Sequence, residues 1–279
     1  MQRDRRHPTC VIPYFTIPPL QLGPIDIQPF GVLSALGVWL ACWLLVRGAR
    51  VRGLDERPAV GVATWPLVGG LVGAHLMHVL LYHPEELHGS WKAWQLLKFW
   101  DGLSSTGGVL GGTAAVVLYF RTRGVPFSPY SDLFALAIAP GWAVARLGCF
   151  SVHDHPGRLT TFPLAVAFAE GARHDLGLYD ALLLGFISAI VYACARRGLL
   201  RDRLLPLVAL LYGIGRFFLD FLRASDLAYV DARYFGLTPA QYVCIGFAVY
   251  GVLALRRSRA TRKSGAAANE PQQLDAIGV

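Results

Sequence analysis

Long apolar stretches alternate with short polar links along this chain, and the pattern repeats seven times. The apolar segments run near Phe30–Val46, Val60–Leu81, Leu103–Phe120, Leu133–Phe150, Leu176–Ala195, Leu204–Leu222 and Leu237–Leu255. Each approaches the roughly 20 residues an α-helix needs to cross a hydrocarbon core. A chain in lipid must satisfy its own backbone hydrogen bonds, so runs of this kind predict helices. The expected architecture is an all-α membrane protein with seven transmembrane helices, forming one domain with an N-terminal arm over residues 1–263. The segment 264–279, SGAAANEPQQLDAIGV, is polar and rich in small residues, and is expected to be a disordered cytoplasmic tail. No internal repeat of the transporter kind is visible.

The basic residues give an orientation. Arg47, Arg50, Arg52 and Arg57 follow the first segment, Arg121 and Arg123 the third, Arg196, Arg197, Arg201 and Arg203 the fifth. Arg256, Arg257, Arg259, Arg262 and Lys263 follow the seventh. The alternate links hold only Lys92 and Lys98, Arg158 and Arg173, and Arg223 and Arg233. The positive-inside rule then places the N-terminus outside and the C-terminus in the cytoplasm, with Arg3, Arg5 and Arg6 outvoted. Trp91, Trp94, Trp100, Tyr229 and Tyr234 fall near the outer boundaries, where amphipathic rings favour the interface. The opening MQRDRRHPTC has no apolar core before a small-residue cleavage site and does not read as a secretory signal.

Composition agrees with a membrane chain. Hydrophobic residues make up 54% and charged residues 16%, against about 25% charged in soluble domains. The net charge of +8 sits in short clusters between apolar runs rather than on one amphipathic face, which argues against nucleic acid. The five cysteines lack metal-type spacing, and Cys42, Cys194 and Cys244 read as small buried hydrophobes.

Two arginines, Arg146 and Arg216, lie inside apolar segments. A guanidinium keeps its charge there only when it faces protein or a watery cavity, so the pair points to an anionic ligand such as a phosphate, or to helix glue through carboxylates. Asp220 is four residues from Arg216 and can pair with it. Arg146 has no such acid in its own helix and is the better phosphate candidate. His75 and His78 share a helix face, and link two adds His83, Glu85, Glu86 and His88. His153-Asp154-His155 lacks an evident third or fourth ligand, which disfavours a metal; an imidazole oriented by a carboxylate, or a solvated polar loop, fits better. Trp100–Gly108 opens a helix with small residues, as an anion site or through simple capping by Ser104 or Ser105.

Taken in order, these pieces resemble the prolipoprotein diacylglyceryl transferase family. The resemblance rests on Gln28–Gly31, Gly73–Tyr82 (GAHLMHVLLY), Asp101–Gly112 (DGLSSTGGVLGG), Ala145–Phe150 (ARLGCF), Arg173–Ala181 (RHDLGLYDA), Tyr212–Asp226 (YGIGRFFLDFLRASD) and Leu237–Gln241 (LTPAQ). It implies transfer of a diacylglyceryl group from phosphatidylglycerol to the lipobox cysteine thiol of a prolipoprotein, with glycerol phosphate leaving. It also implies a bacterial inner-membrane location, a lateral opening to the bilayer, and no nucleotide or metal cofactor. Arg146 would hold the phosphate, with Arg216, Asp220 and Arg223 in support. Gly107 and Gly108 would allow close approach of lipid, and His78, His153 and Asp154 are the candidates for handling the thiol proton. The chain departs from the family pattern at Thr106, where the family has His, at Cys149 in place of Asn, and at Asp154 and Asp220 in place of Glu. A second reading is a relative that binds anionic lipid or precursor without transfer. A solute transporter and an intramembrane serine protease rank below both.

Overall fold

A computed structural model describes residues 11–23, 25–82, 102, 104–227 and 233–269. His83, Glu85, Glu86, His88, Trp91, Lys92, Trp94, Lys98, Trp100, Asp101 and Tyr229 lie outside the described residues.

Helices dominate: α1 (Pro29–Val51), α2 (Glu56–Met77), α3 (Ser105–Arg123), α4 (Ser128–Val152), α5 (Leu176–Arg196), α6 (Leu204–Leu219) and α7 (Pro239–Asn269). A π-helical turn, His78–Tyr82, extends α2, and a 3₁₀ turn, Asp220–Leu222, extends α6. Among the described residues, six helices are long and apolar enough to cross a membrane. The Gly-rich third segment does form a helix, α3, but its small and polar residues keep it out of that set. The backbone of α7 runs past Lys263 into the segment expected to lack structure.

Local chemistry sets the ends. Asp55 caps α2 by accepting from Arg57 N, and Ser104 Oγ caps α3 by accepting from Gly107 N at 3.3 Å. Gly124 closes α3 in the left-handed conformation. Asp132 on α4 accepts from Asp202 N and Leu204 N, tying the start of α6 to its neighbour. Thr238 and Gln241 form a capping box at α7: Gln241 Oε1 accepts from Thr238 N at 3.0 Å, and Thr238 Oγ1 accepts from Gln241 N at 3.3 Å.

The helices pack chiefly as α1 on α4, α2 on α3, α4 on α5 and α6 on α7. Small residues make two of these contacts close. A Cβ on Gly107 would stand 2.2 Å from Gly73 O, and one on Gly37 2.3 Å from Gly141 O. Outward faces carry large apolar residues such as Trp39, Phe186 and Phe218, as a lipid-facing surface requires. Among the described residues the core has two apolar clusters. One holds Leu45, Val62, Tyr119 and Leu133, the other Leu184, Ile187, Val208 and Tyr212.

Short strands add what the helical pattern did not predict. β1 (Ile12–Pro13), β4 (Pro156–Leu159), β5 (Val166–Phe168) and β6 (Gly171–Asp175) form a sheet in the order β1-β5-β6-β4. β1 runs parallel to β5, and the other pairs are antiparallel. β2 (Leu20–Leu22) and β3 (Ile25–Ile27) form a hairpin. Each strand is too short for the alternation that reveals longer ones.

Candidate active site

Arg146 on α4 and Arg216 on α6 are both buried, and they meet across Asp180 of α5. Asp180 Oδ2 lies 3.3 Å from Arg146 Nε and 3.2 Å from Arg216 Nε. Arg146 therefore has a carboxylate partner, supplied by a neighbouring helix rather than its own. Arg216 Nη1 lies 3.0 Å from Asp220 Oδ1, the pairing that the four-residue spacing predicts. Asp220 is itself divided: Arg223 Nε donates to it at 2.8 Å, and the Thr238 hydroxyl donates to its other oxygen in a very short hydrogen bond. The capping box of α7 thus also pins Asp220.

These charge contacts are close without being aligned hydrogen bonds. Arg146 Nε, Arg216 Nη1 and Asp180 Oδ1 are buried and have no hydrogen-bond partner among the described residues. Unsatisfied buried polar atoms are costly and call for an explanation. Beside them lies a small cleft whose lining includes Thr106, Trp142, Arg146, Tyr212, Arg216 and Cys244. The Arg146 guanidinium sits 5.9 Å from the centre of the Trp142 ring, a cation–π contact. Arg146 and Arg216 share Asp180 while Arg216 and Arg223 share Asp220, and three cations set against two carboxylates at a cleft wall retain attraction for a further anion. Thr106, Arg146 and Arg216 come together here, with Asp220 and Arg223 directly behind.

The other expected residues sit elsewhere. His78 packs against Gly102 at the α2–α3 corner, where a Cβ on Gly102 would lie 1.9 Å from His78 Nε2. His75 is buried beside it, its Nδ1 3.4 Å from Gly102 O. Gly107 and Gly108 face α2, against Gly73 and Gly70, so the close approach they permit is helix on helix rather than lipid on helix. Ser104 caps α3 in the way helix chemistry alone allows.

His153 ends α4 in the left-handed conformation, with φ 49° and ψ 40°. Its Nδ1 lies 2.7 Å from Asp175 Oδ2, and Tyr14, Phe15, Phe150 and Phe168 surround the ring. Its Nε2 is buried without a partner among the described residues. Burial pushes the Asp175 carboxyl above its ordinary value, opposed by His153 and the Leu178 N–H. Asp154 is exposed and contacts His155. On β6, Arg173 pairs with Asp226 at 2.7 Å and holds that carboxyl below its usual range, while burial lowers the neighbouring His174.

The residue-type reading passed over Asp180, Tyr212, Trp142, Asp175 and Thr238. Asp180 was detectable: a carboxylate within the apolar run Leu176–Ala195 is as anomalous as an arginine. Thr238-x-x-Gln241 was equally visible as a capping box.

Helices of this length and apolarity, around a buried cationic cleft, define a multi-pass membrane protein with a charged interior site. Comparison with known proteins makes this specific. The family profile described as prolipoprotein diacylglyceryl transferase matches residues 19–257, and the chain belongs to that family. Among relatives, the phosphatidylglycerol–prolipoprotein diacylglyceryl transferase of Frankia alni is 29% identical over 252 residues, 85% of this chain and 66% of that protein. The protein of the same name from Nitratidesulfovibrio vulgaris is 29% identical over 246 residues, 85% of this chain and 92% of that protein. Transferase 1 of Streptomyces coelicolor is 28% identical over 252 residues, covering 85% and 72%.

Proposed function

We propose that this chain transfers the diacylglyceryl group of phosphatidylglycerol to the lipobox cysteine thiol of prolipoproteins, at the outer face of a bacterial inner membrane. The observation that carries the reading is the meeting of Arg146 and Arg216, from separate helices, at one cleft in a member of this transferase family. The reaction needs a cation where the phosphate leaves, because charge develops there in the transition state. Arg146 is assigned that role. Arg216, held by Asp180 and Asp220, forms the second anchor, and Arg223 reinforces Asp220 from behind. The sulfur attacks the glyceryl carbon, the carbon–oxygen bond to phosphate breaks, and glycerol phosphate leaves with the electron pair. The thiol proton must first depart, since the thiolate is the nucleophile. His153 with Asp175, His78 and Asp154 are the groups able to take a proton. The seven-helix topology, with α3 completing the bundle, N-terminus outside and C-terminus cytoplasmic, puts the polar links on the side where precursors are exported.

Detergent-purified protein mixed with phosphatidylglycerol and a lipobox peptide should add a diacylglyceryl mass to the peptide. Arg146→Ala should abolish that gain while the protein still accumulates in the membrane. Normal transfer by Arg146→Ala would remove Arg146 from the chemistry. Thr106 lines the cleft where the family has His; the second reading, lipid or precursor binding without transfer, is not favoured by relatives that are named as transferases. Retained binding with no product at high protein concentration would favour it.

A further inference from the structure

We infer that Trp142 is a positioning residue for the anion site: the face of its indole holds the Arg146 guanidinium in place and adds no negative charge that would compete with a phosphate. The consequence for transfer rests on the transferase reading; the hold on Arg146 does not. Trp142 lies outside every stretch that carries the family resemblance, which begins in this helix at Ala145.

The placement follows from α4. Trp142 and Arg146 are four residues apart on it, so their side chains share a face. Long helical side chains lean toward the N-terminus, which brings Arg146 back over the turn that carries Trp142. The residue before Trp142, Gly141, packs against α1: a Cβ on it would stand 2.5 Å from Gly37 O. That contact fixes the rotation of α4, and Trp142 packs against the cluster that holds Leu184, Ile187 and Tyr212. The rings of Trp142 and Tyr212 lie 4.6 Å apart, centre to centre, tilted by 40°. Tyr212 is buried, so the indole is backed by a fixed ring.

Arg146 needs such a hold. Its Nε approaches Asp180 at 3.3 Å without an aligned hydrogen bond, and its Nη1 reaches Cys149 Sγ at 3.7 Å. A cysteine sulfur is a weak acceptor. The indole face supplies a third side, its centre 5.9 Å from Arg146 Cζ. Both residues line the cleft, so an anion there meets a guanidinium already fixed.

A ring suits this task better than another acid. A further carboxylate on Arg146 would hold it firmly, but would cancel its charge and repel a phosphate. An aromatic face attracts a cation through its quadrupole and carries no net charge. Arg146 thus stays ordered before the phosphate arrives and keeps its attraction for it. The transition state then needs no reorganisation of the cation.

Fluorotryptophan tests the hold, because each fluorine withdraws electron density from the ring with little change of shape. Unlabelled protein is compared with protein carrying mono-, di- or trifluorotryptophan, as wild type and as Trp142→Phe. The first readout is lipidation of a lipobox peptide with phosphatidylglycerol. The second is the rise in unfolding temperature given by glycerol phosphate over chloride at matched ionic strength. In wild type, kcat/KM for phosphatidylglycerol should fall by about 5- to 30-fold over the series, with KM for the peptide unchanged. The glycerol phosphate effect should shrink in parallel. Trp142→Phe should show no dependence on fluorine number, which excludes the remaining tryptophans. Without label, Trp142→Phe should lose about threefold and Trp142→Leu about tenfold in kcat/KM. Where transfer occurs, a rate that ignores fluorine, or equal slopes in wild type and Trp142→Phe, overturns the inference and leaves the transferase reading standing. Where no transfer occurs, a fluorine-dependent glycerol phosphate effect confined to wild type upholds the inference and removes the transferase reading. Wild type that neither transfers nor gains stability from glycerol phosphate overturns both.

Discussion

Asp180→Asn separates an arginine cluster built to hold an anion from one that only joins helices. The substitution keeps the side-chain shape and removes the charge that Arg146 and Arg216 share. Each guanidinium nitrogen lies 3.3 Å or 3.2 Å from Asp180 Oδ2, so at an effective dielectric of about 20 each contact contributes about 5 kcal/mol of gross attraction. Desolvation offsets much of this, and breaking a buried pair from one side typically costs about 3–5 kcal/mol. Because both nitrogens approach the same oxygen, they stand no more than about 6.5 Å apart, and their mutual repulsion without Asp180 is at least about 2.5 kcal/mol at the same dielectric. The variant should therefore unfold at a lower temperature in detergent. Soluble glycerol phosphate, compared with chloride at matched ionic strength, should restore more stability to the variant than it adds to wild type. A tenfold tighter affinity is worth about 1.4 kcal/mol at saturating ligand. Tryptophan fluorescence during heating reads both effects. A variant as stable as wild type, or one that glycerol phosphate rescues no better than wild type, would refute the view that these guanidinium groups face an anion.

Three further outcomes are expected. Gly107→Ala places a methyl group 2.2 Å from Gly73 O on α2, which must push the helices apart and should lower stability by about 1–3 kcal/mol in the same unfolding assay. Restoring the family residue with Thr106→His should raise the rate of peptide lipidation, read by mass spectrometry; an unchanged or lower rate would mean that this chain moves the proton by another route. Burial lowers the folded-state pKa of His174 below its unfolded value, so the unfolded chain takes up the proton first as pH falls. Stability present above about pH 6.5 should decline on acidification toward the folded pKa. The unfolding temperature of His174→Asn should fall less over that range, and equal slopes would exclude His174 as the cause.

The helices were legible because lipid makes apolar length nearly the same thing as a helix. Pro29 at the start of α1, Ser104 before α3 and Gly124 after it agree with the observed ends. The four-stranded sheet was not legible. It assembles pieces from residue 12 to residue 175, and its strands of two to five residues carry no periodic signal. What holds it depends on contacts between distant residues, such as His153 with Asp175 and Arg173 with Asp226.

The site shows the same limit in sharper form. Arg146 and Arg216 each stood out alone, because a charge within an apolar run is anomalous wherever it packs. What they do depends on Asp180, which lies on a third helix and turns two separate anomalies into one cluster. Helix glue and anion site were posed as alternatives, yet one arginine cluster with shared carboxylates can serve both. Asp180 draws the two cations together, and with Arg223 on Asp220 the cluster of three arginines and two carboxylates keeps a net positive charge. Arg216 also pairs with Asp220, but Asp220 is shared in turn with Arg223, so three arginines face two carboxylates and one positive charge is left for a phosphate. The sharing of Asp180 and Asp220 among three arginines is therefore the feature that favours a working site over a purely structural one.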